Sequence, residues 1–215
     1  MVEKLLIAIF AVCVWSLSFT SGHAATKKDL KLSLIGSSCV GKTNIIRQLE
    51  GQTFEPNMPA TIGIEFTFLH RTIVAADGTK TPIRMWFWDM PGVNRLKEVA
   101  FYHLRNSHGV MLVYDINRRE TFERAKDWFD AIRTSYPSLL SVLVLIGNGT
   151  DQAERDRQVS EEEGRAYAHK NGMAFFETSA RKNQGLQEAL GALLKRAVPL
   201  TLPQISGNFT ISEQQ

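Results

Sequence analysis

Gly36-Ser37-Ser38-Cys39-Val40-Gly41-Lys42-Thr43 is the stretch that decides the fold of this chain. It fits the P-loop pattern G-x-x-x-x-G-K-[ST], in which glycines let successive backbone N–H groups curl round phosphate oxygens. A helix that begins near Lys42 points its positive end at the same anion. Gly36, Ser37, Ser38, Cys39, Val40 and Gly41 then form the cradle, Lys42 reaches the β- and γ-phosphates, and the Thr43 hydroxyl ligates Mg²⁺. The motif requires a strand before it and a helix after it. Residues 30–35 form a short apolar run ending at Gly36, and Ile45, Ile46 and Leu49 recur at helical spacing beyond Lys42. The loop alone separates neither ATP from GTP nor a kinase from a switch protein.

Outward from the loop, strand-like and helix-like stretches alternate. Residues 62–74 and 81–88 read as strands joined through Ala76-Asp77-Gly78-Thr79. The Asp-Gly pair is a hairpin signal, so these strands are expected to be antiparallel neighbours. Residues 110–114 and 142–146 are continuous apolar runs, as strands buried on both faces require. Between them Phe122, Ala125, Trp128, Phe129 and Ile132 recur at helical spacing, and residues 173–176 read as a last strand. Leu186, Leu190, Leu193 and Ala197 mark a closing helix that is expected to stop before Pro199. Residues 200–215 read as a flexible tail. This alternation argues for a mainly parallel α/β sheet covered by helices.

Composition narrows the function classes. The chain has 215 residues, 44% hydrophobic and 22% charged, which suits one globular domain with ends. A net charge of +3 with no dense basic block argues against nucleic acid. The 2 cysteines, Cys13 and Cys39, make no disulfide scaffold, and the 5 histidines show no zinc-ligand spacing.

Residues 5–19 form a hydrophobic run broken only by Ser16 and Ser18. As a helix this run rises about 22 Å, short of the ~30 Å hydrocarbon core. With Lys4 before it and Ser21-Gly22-His23-Ala24-Ala25 after it, the segment reads as a signal peptide with small residues at the cleavage site. The rival reading, with the run extended through Ala24, is an uncleaved N-terminal membrane anchor, although the segment alone favours cleavage. Either way residues 1–27 lie outside the folded domain.

The chain resembles a Rab-type small GTPase of the Ras superfamily across residues 28–198. The resemblance rests on the P-loop, Thr61-Ile62-Gly63-Ile64-Glu65-Phe66, Trp88-Asp89-Met90-Pro91-Gly92 and Val113-Tyr114-Asp115-Ile116. It continues through Thr121-Phe122-Glu123 with Trp128, Gly147-Asn148-Gly149-Thr150-Asp151 and Glu177-Thr178-Ser179-Ala180-Arg181, all in family order. It implies a P-loop NTPase fold: a six-stranded, mostly parallel sheet with one antiparallel edge strand, helices on both faces, and a G domain over residues 28–199. It also implies GTP/GDP and Mg²⁺ as ligands, and a monomer. Thr61 would close the first switch loop through Mg²⁺ and the γ-phosphate, Asp89 would hold Mg²⁺ through water, and the Gly92 N–H would sense the γ-phosphate. Lys42, Thr61 and Gly92 are therefore the catalytic candidates. Asn148 and Asp151 would read guanine, whose ring N–H and amino group form a donor pair that adenine lacks. Ser179, Ala180 and Arg181 would support the base, with Phe54 at its edge.

Departures from the family pattern sharpen the expectations. Val93 follows Gly92 where the family has the glutamine that orients the attacking water, so slow hydrolysis is expected. Gly149 replaces the lysine whose stem packs over the base, which is expected to weaken affinity while guanine selectivity survives. No cysteine follows Cys39, so the family's C-terminal prenyl anchor is not expected. Phe66 and Trp88 match family aromatics on the effector face, and His103 stands where tyrosine is usual.

The leading expectation is a GTP-dependent switch in vesicle or membrane trafficking, a weak GTP hydrolase served by effectors, an exchange factor and a GTPase-activating protein. The alternative is a non-hydrolysing pseudo-GTPase scaffold; a P-loop kinase or ATPase is disfavoured by the guanine-reading residues. Two sequons, Asn148-Gly149-Thr150 and Asn208-Phe209-Thr210, bear on location. A glycan on Asn148 would abolish base reading, so a cytosol-facing, membrane-anchored chain is expected over a secretory or organelle-lumen one.

Overall fold

Apolar runs followed by amphipathic segments fold as a layered sheet because each strand buries both faces only if helices cover both sides. The computed structural model describes residues 28–93, 96–152, 154–205 and 207–213. The apolar run at residues 5–19, with its cleavage and anchor readings, lies outside the described residues. In chain order the elements are β1 (Lys28–Gly36), α1 (Lys42–Leu49), β2 (Glu65–Ala75), β3 (Lys80–Asp89), α2 (Lys97–His103), β4 (Gly109–Asp115) and α3 (Arg119–Ser135). β5 (Leu143–Asn148), α4 (Glu161–Lys170), β6 (Ala174–Thr178), α5 (Leu186–Thr201) and β7 (Phe209–Glu213) follow.

The strands form one sheet in the order β6-β5-β4-β1-β3-β2-β7. β1 runs parallel to both β3 and β4, and β4, β5 and β6 continue in parallel. β2 is antiparallel to β3, with Glu65 opposite Asp89 and Val74 opposite Lys80, as the Asp77-Gly78 pair predicts. Along β1, Leu30, Leu32 and Leu34 pack with Ile45 and Leu49 of α1 and Leu186, Leu190 and Leu193 of α5. Ile35, Leu112, Tyr114 and Leu145 instead join Phe122, Ala125, Phe129 and Ile132 of α3 on the opposite face.

Among the described residues the sheet has seven strands, where six were expected, and the extra one comes from the segment read as a flexible tail. β7 pairs antiparallel with β2, Ile73 opposite Ile211, so the antiparallel strand β2 is not the edge. Phe209 and Ile211 pack against the core while Thr210 is exposed, a short alternation that suits a half-buried strand. Leu202 and Ile205, both buried, pin the connection. α5 also continues past Pro199. Proline forfeits only its own N–H donor, and this close to the end the Leu202 N–H still donates to the Val198 carbonyl at 2.7 Å.

Neither α2 nor α4 was expected from apolar periodicity. α4 carries a local signal nonetheless: Ser160 caps it, its hydroxyl accepting from the Glu163 N–H at 3.2 Å. α2 is held from outside. Lys31 on β1 donates its ammonium to the carbonyls of His103 and Arg105, at 2.5 and 2.8 Å. Burial lowers the Lys31 pKa to about 8. Replacing Lys31 with Met keeps the stem and strands both carbonyls, so urea unfolding is expected to show a loss of about 1–3 kcal/mol. A loss below about 0.5 kcal/mol would mean that Lys31 does not secure the end of α2.

Candidate nucleotide site

The parallel strands β1, β3, β4, β5 and β6 all end on one side of the sheet, at Gly36, Asp89, Asp115, Asn148 and Thr178. Ligands in open α/β sheets bind at such carboxyl ends. A cleft of about 310 Å³ opens there. Ser38, Cys39, Val40, Gly41, Lys42 and Thr43 line one end of it, and Asn148, Asp151, Ala180 and Arg181 the other. Phe54, Thr61 and Gly92 also reach it. Gly36, Ser37 and Ser179 stand behind this lining, and Asp89 lies beneath Thr43.

Lys42 is 6% exposed, and its ammonium donates to the carbonyls of Gly36 and Ser37 at 3.1 and 2.8 Å. Burial lowers its pKa to about 8, opposed by the charge of Asp89. An anion in the cleft would complement this desolvated cation.

Beside it, oxygens converge. The Thr43 hydroxyl donates to Asp89 Oδ2, and the Thr61 hydroxyl lies 3.4 Å from the same oxygen and 3.3 Å from the Thr43 hydroxyl. Asp89 Oδ1 is buried with no hydrogen-bond partner among the described residues. Burial raises the Asp89 pKa, opposed by Lys42. A donor set made only of oxygens, with one carboxylate oxygen left over, fits a hard divalent cation such as Mg²⁺.

At the far end Asn148 is buried and makes three hydrogen bonds. Its Nδ2 donates to the Val40 carbonyl at 2.9 Å, and its Oδ1 accepts from the Thr178 hydroxyl and the Ala180 N–H, each at 3.1 Å. Asp151 accepts from the Ser179 hydroxyl at 2.6 Å and pairs with Arg181 Nε at 3.1 Å. Each carboxylate oxygen retains a lone pair for a base edge. The Arg181 guanidinium stands 5.0 Å from the Phe54 ring centre, which brings Phe54 to the same end of the cleft.

The departures have structural counterparts. Val93 does not reach the cleft; its carbonyl accepts from the Leu96 N–H at 3.0 Å. Gly149 adopts φ 105°, and a Cβ there would meet Asn117 Nδ2 at 2.8 Å. Asn117 Nδ2 donates to the Gly149 carbonyl at 3.1 Å, so this loop is shaped around a missing side chain. Asp115 and Gln152 also line the cleft, and Arg118 holds the phosphate loop from outside. None of these was assigned a role from the sequence. Asp115 lies in a family-like stretch, whereas Arg118, Asn117 and Gln152 carry no local signal.

Away from the cleft, Phe66, Trp88 and His103 stack in series. Ring centres are 5.7 Å apart in both pairs, with interplanar angles of 29° and 28°. Burial and the Lys31 charge lower the His103 pKa. Phe66 remains 47% exposed.

Comparison with known proteins agrees with this geometry. Residues 31–198 match the Ras family model. Similar proteins include the Ras-related protein Rab-18 of Lymnaea stagnalis, 32% identical over 185 residues that cover 85% of this chain and 88% of that protein. Ras-related protein Rab-2B of Dictyostelium discoideum is 38% identical over 159 residues, covering 74% and 75%. Ras-related protein RABA6b of Arabidopsis thaliana is 36% identical over 166 residues, covering 77% and 69%. The chain belongs to the Ras family, as a Rab-type small GTPase. Among the described residues no helix is long and apolar enough to cross a membrane.

Proposed function

We propose that the chain is a guanine-nucleotide switch that binds GTP or GDP with Mg²⁺, hydrolyses GTP slowly, and acts in membrane trafficking. The observation that carries this reading is the convergence on one cleft of the Lys42 cradle, the Thr43–Thr61–Asp89 oxygens and the Asn148–Asp151 pair. Lys42 neutralises the β/γ-phosphates, Asp151 accepts from the guanine edge, and the Gly92 N–H meets the γ-phosphate. Thr43, Thr61 and Asp89 would hold Mg²⁺, which when bound would supply charge neutralisation on the phosphates. Loss of the γ-phosphate then frees the loops carrying Thr61 and Gly92. The Phe66–Trp88–His103 stack is formed by β2, β3 and α2, the elements that flank those loops, and is the surface offered to effectors, with an exchange factor and a GTPase-activating protein acting on the cleft.

The Val93 side chain has no polar atom to orient water, and this favours a second reading, a GTP-binding scaffold that does not hydrolyse. Single-turnover hydrolysis separates the two. Val93→Gln is expected to raise the rate at least about ten-fold over a slow but measurable wild-type rate. No turnover in either form would favour the scaffold, and no gain from the glutamine would remove Val93 as the cause.

For location, the reading is a cytosol-facing domain held through the N-terminal apolar segment. Asn148 supports it, because a glycan on its amide nitrogen would disrupt the hydrogen bond to the Val40 carbonyl and the wall of the cleft. A glycosidase-sensitive mobility shift of the expressed full chain would contradict this; membrane retention after a carbonate wash without such a shift agrees with it.

A further inference from the structure

The phosphate loop keeps its shape through its outward-facing carbonyls, and every one from residue 36 to 40 has a side-chain donor. Lys42 takes those of Gly36 and Ser37, and Asn148 takes that of Val40. The carbonyls of Ser38 and Cys39 between them both accept from Arg118 Nη2, at 3.4 and 2.7 Å. Cys39 has the greatest need of support, since it is a non-glycine residue at φ 59°, in the left-handed region.

Arg118 is itself held in place. Its Nε pairs with Asp115 Oδ2 at 2.8 Å. The other oxygen of Asp115 accepts from the Asn117 N–H at 2.9 Å and from Asn117 Nδ2 at 3.2 Å. Asn117 Nδ2 in turn donates to the Gly149 carbonyl at 3.1 Å. A continuous polar path therefore runs from the phosphate loop to the base-reading loop, past the position where Gly149 brings no side chain. The planar guanidinium can hold a carboxylate with one nitrogen and the loop carbonyls with another.

We propose that Arg118 is a positioning residue for nucleotide binding, clamping the Ser38–Cys39 turn to the base-reading loop in place of the side chain absent at Gly149. This rests on the guanine-nucleotide reading above. The clamp fixes the left-handed turn so that the inward N–H groups of the loop meet the phosphates without a reorganisation cost.

The test is the release of fluorescent mant-GDP from the full chain, compared for wild type, Arg118→Ala, Arg118→Met and Arg118→Lys. Alanine and methionine are expected to speed release about ten-fold or more, and lysine, which keeps a charged donor, to fall in between. The preference for GDP over inosine diphosphate should not change, because the clamp acts on the phosphate end. A general loss of folding would instead lower the melting temperature in excess GDP and leave lysine no better than methionine. Release from Arg118→Ala within about two-fold of wild type, or Arg118→Met behaving as wild type, would overturn the clamp while leaving the nucleotide reading intact. A wild-type chain that never retains mant-GDP overturns both.

Discussion

Asn148→Ala is expected to weaken GDP binding roughly 100-fold, equivalent to about 2.7 kcal/mol. This one amide joins three segments that are far apart in sequence. Removing it leaves the Val40 carbonyl without its donor, and the Thr178 hydroxyl and Ala180 N–H without their acceptor. Each of these lies at the wall of the cleft, so the phosphate end and the base end loosen together. Residue 148 is 9% exposed, and the vacated space offers poor access for replacement water. Stopped-flow association and dissociation of mant-GDP measure the effect, which should fall mainly on dissociation. A loss below about five-fold would mean that the two ends are held independently of Asn148.

Gly92→Ala is expected to act on the GTP state more than on the GDP state. A Cβ at residue 92 would lie 2.3 Å from both the Ser37 carbonyl carbon and the Ser38 nitrogen. Both are backbone atoms of the phosphate loop, so no side chain can rotate to relieve the contact. Ser37 and Ser38 are fixed by Lys42 and Arg118, and the segment carrying Gly92 is the one that retracts. That withdraws the Gly92 N–H from the γ-phosphate while the rest of the cradle remains. The affinity for GTPγS should fall at least about ten-fold further than the affinity for GDP, by competition with mant-GDP. Equal losses for the two nucleotides would show that the phosphate loop, and not the residue-92 segment, gives way.

The parts of this fold that were legible in the sequence are those written in local patterns. The P-loop octapeptide, the Asp77-Gly78 hairpin and the unbroken apolar runs of β4 and β5 depend on neighbouring residues, so the chain declares them directly. That Asn148 and Asp151 stand at the cleft was legible only through the resemblance, since nothing local distinguishes them from turn residues. β7 was not legible. Its alternation spans only Phe209 to Glu213 in a polar tail, and Ser212 meets the Thr72 carbonyl 140 residues away. Pro199 misled because a local breaker was outweighed by burial of Leu202 and Ile205. Arg118 gave no signal either. Its neighbours are polar, and the carbonyl it secures, that of Cys39, lies 79 residues earlier.

The proposed function requires that a guanine nucleotide fill the cleft. The direct test is equilibrium titration of the full chain with GDP, GTPγS and ATP, each with Mg²⁺ and with excess EDTA. Both guanine nucleotides should bind, more tightly with Mg²⁺, and ATP should bind roughly 1,000-fold more weakly or not at all, because it offers Asp151 no matching donors. Equal affinity for ATP and GTPγS, or no binding of either guanine nucleotide, would contradict the assignment of the cleft.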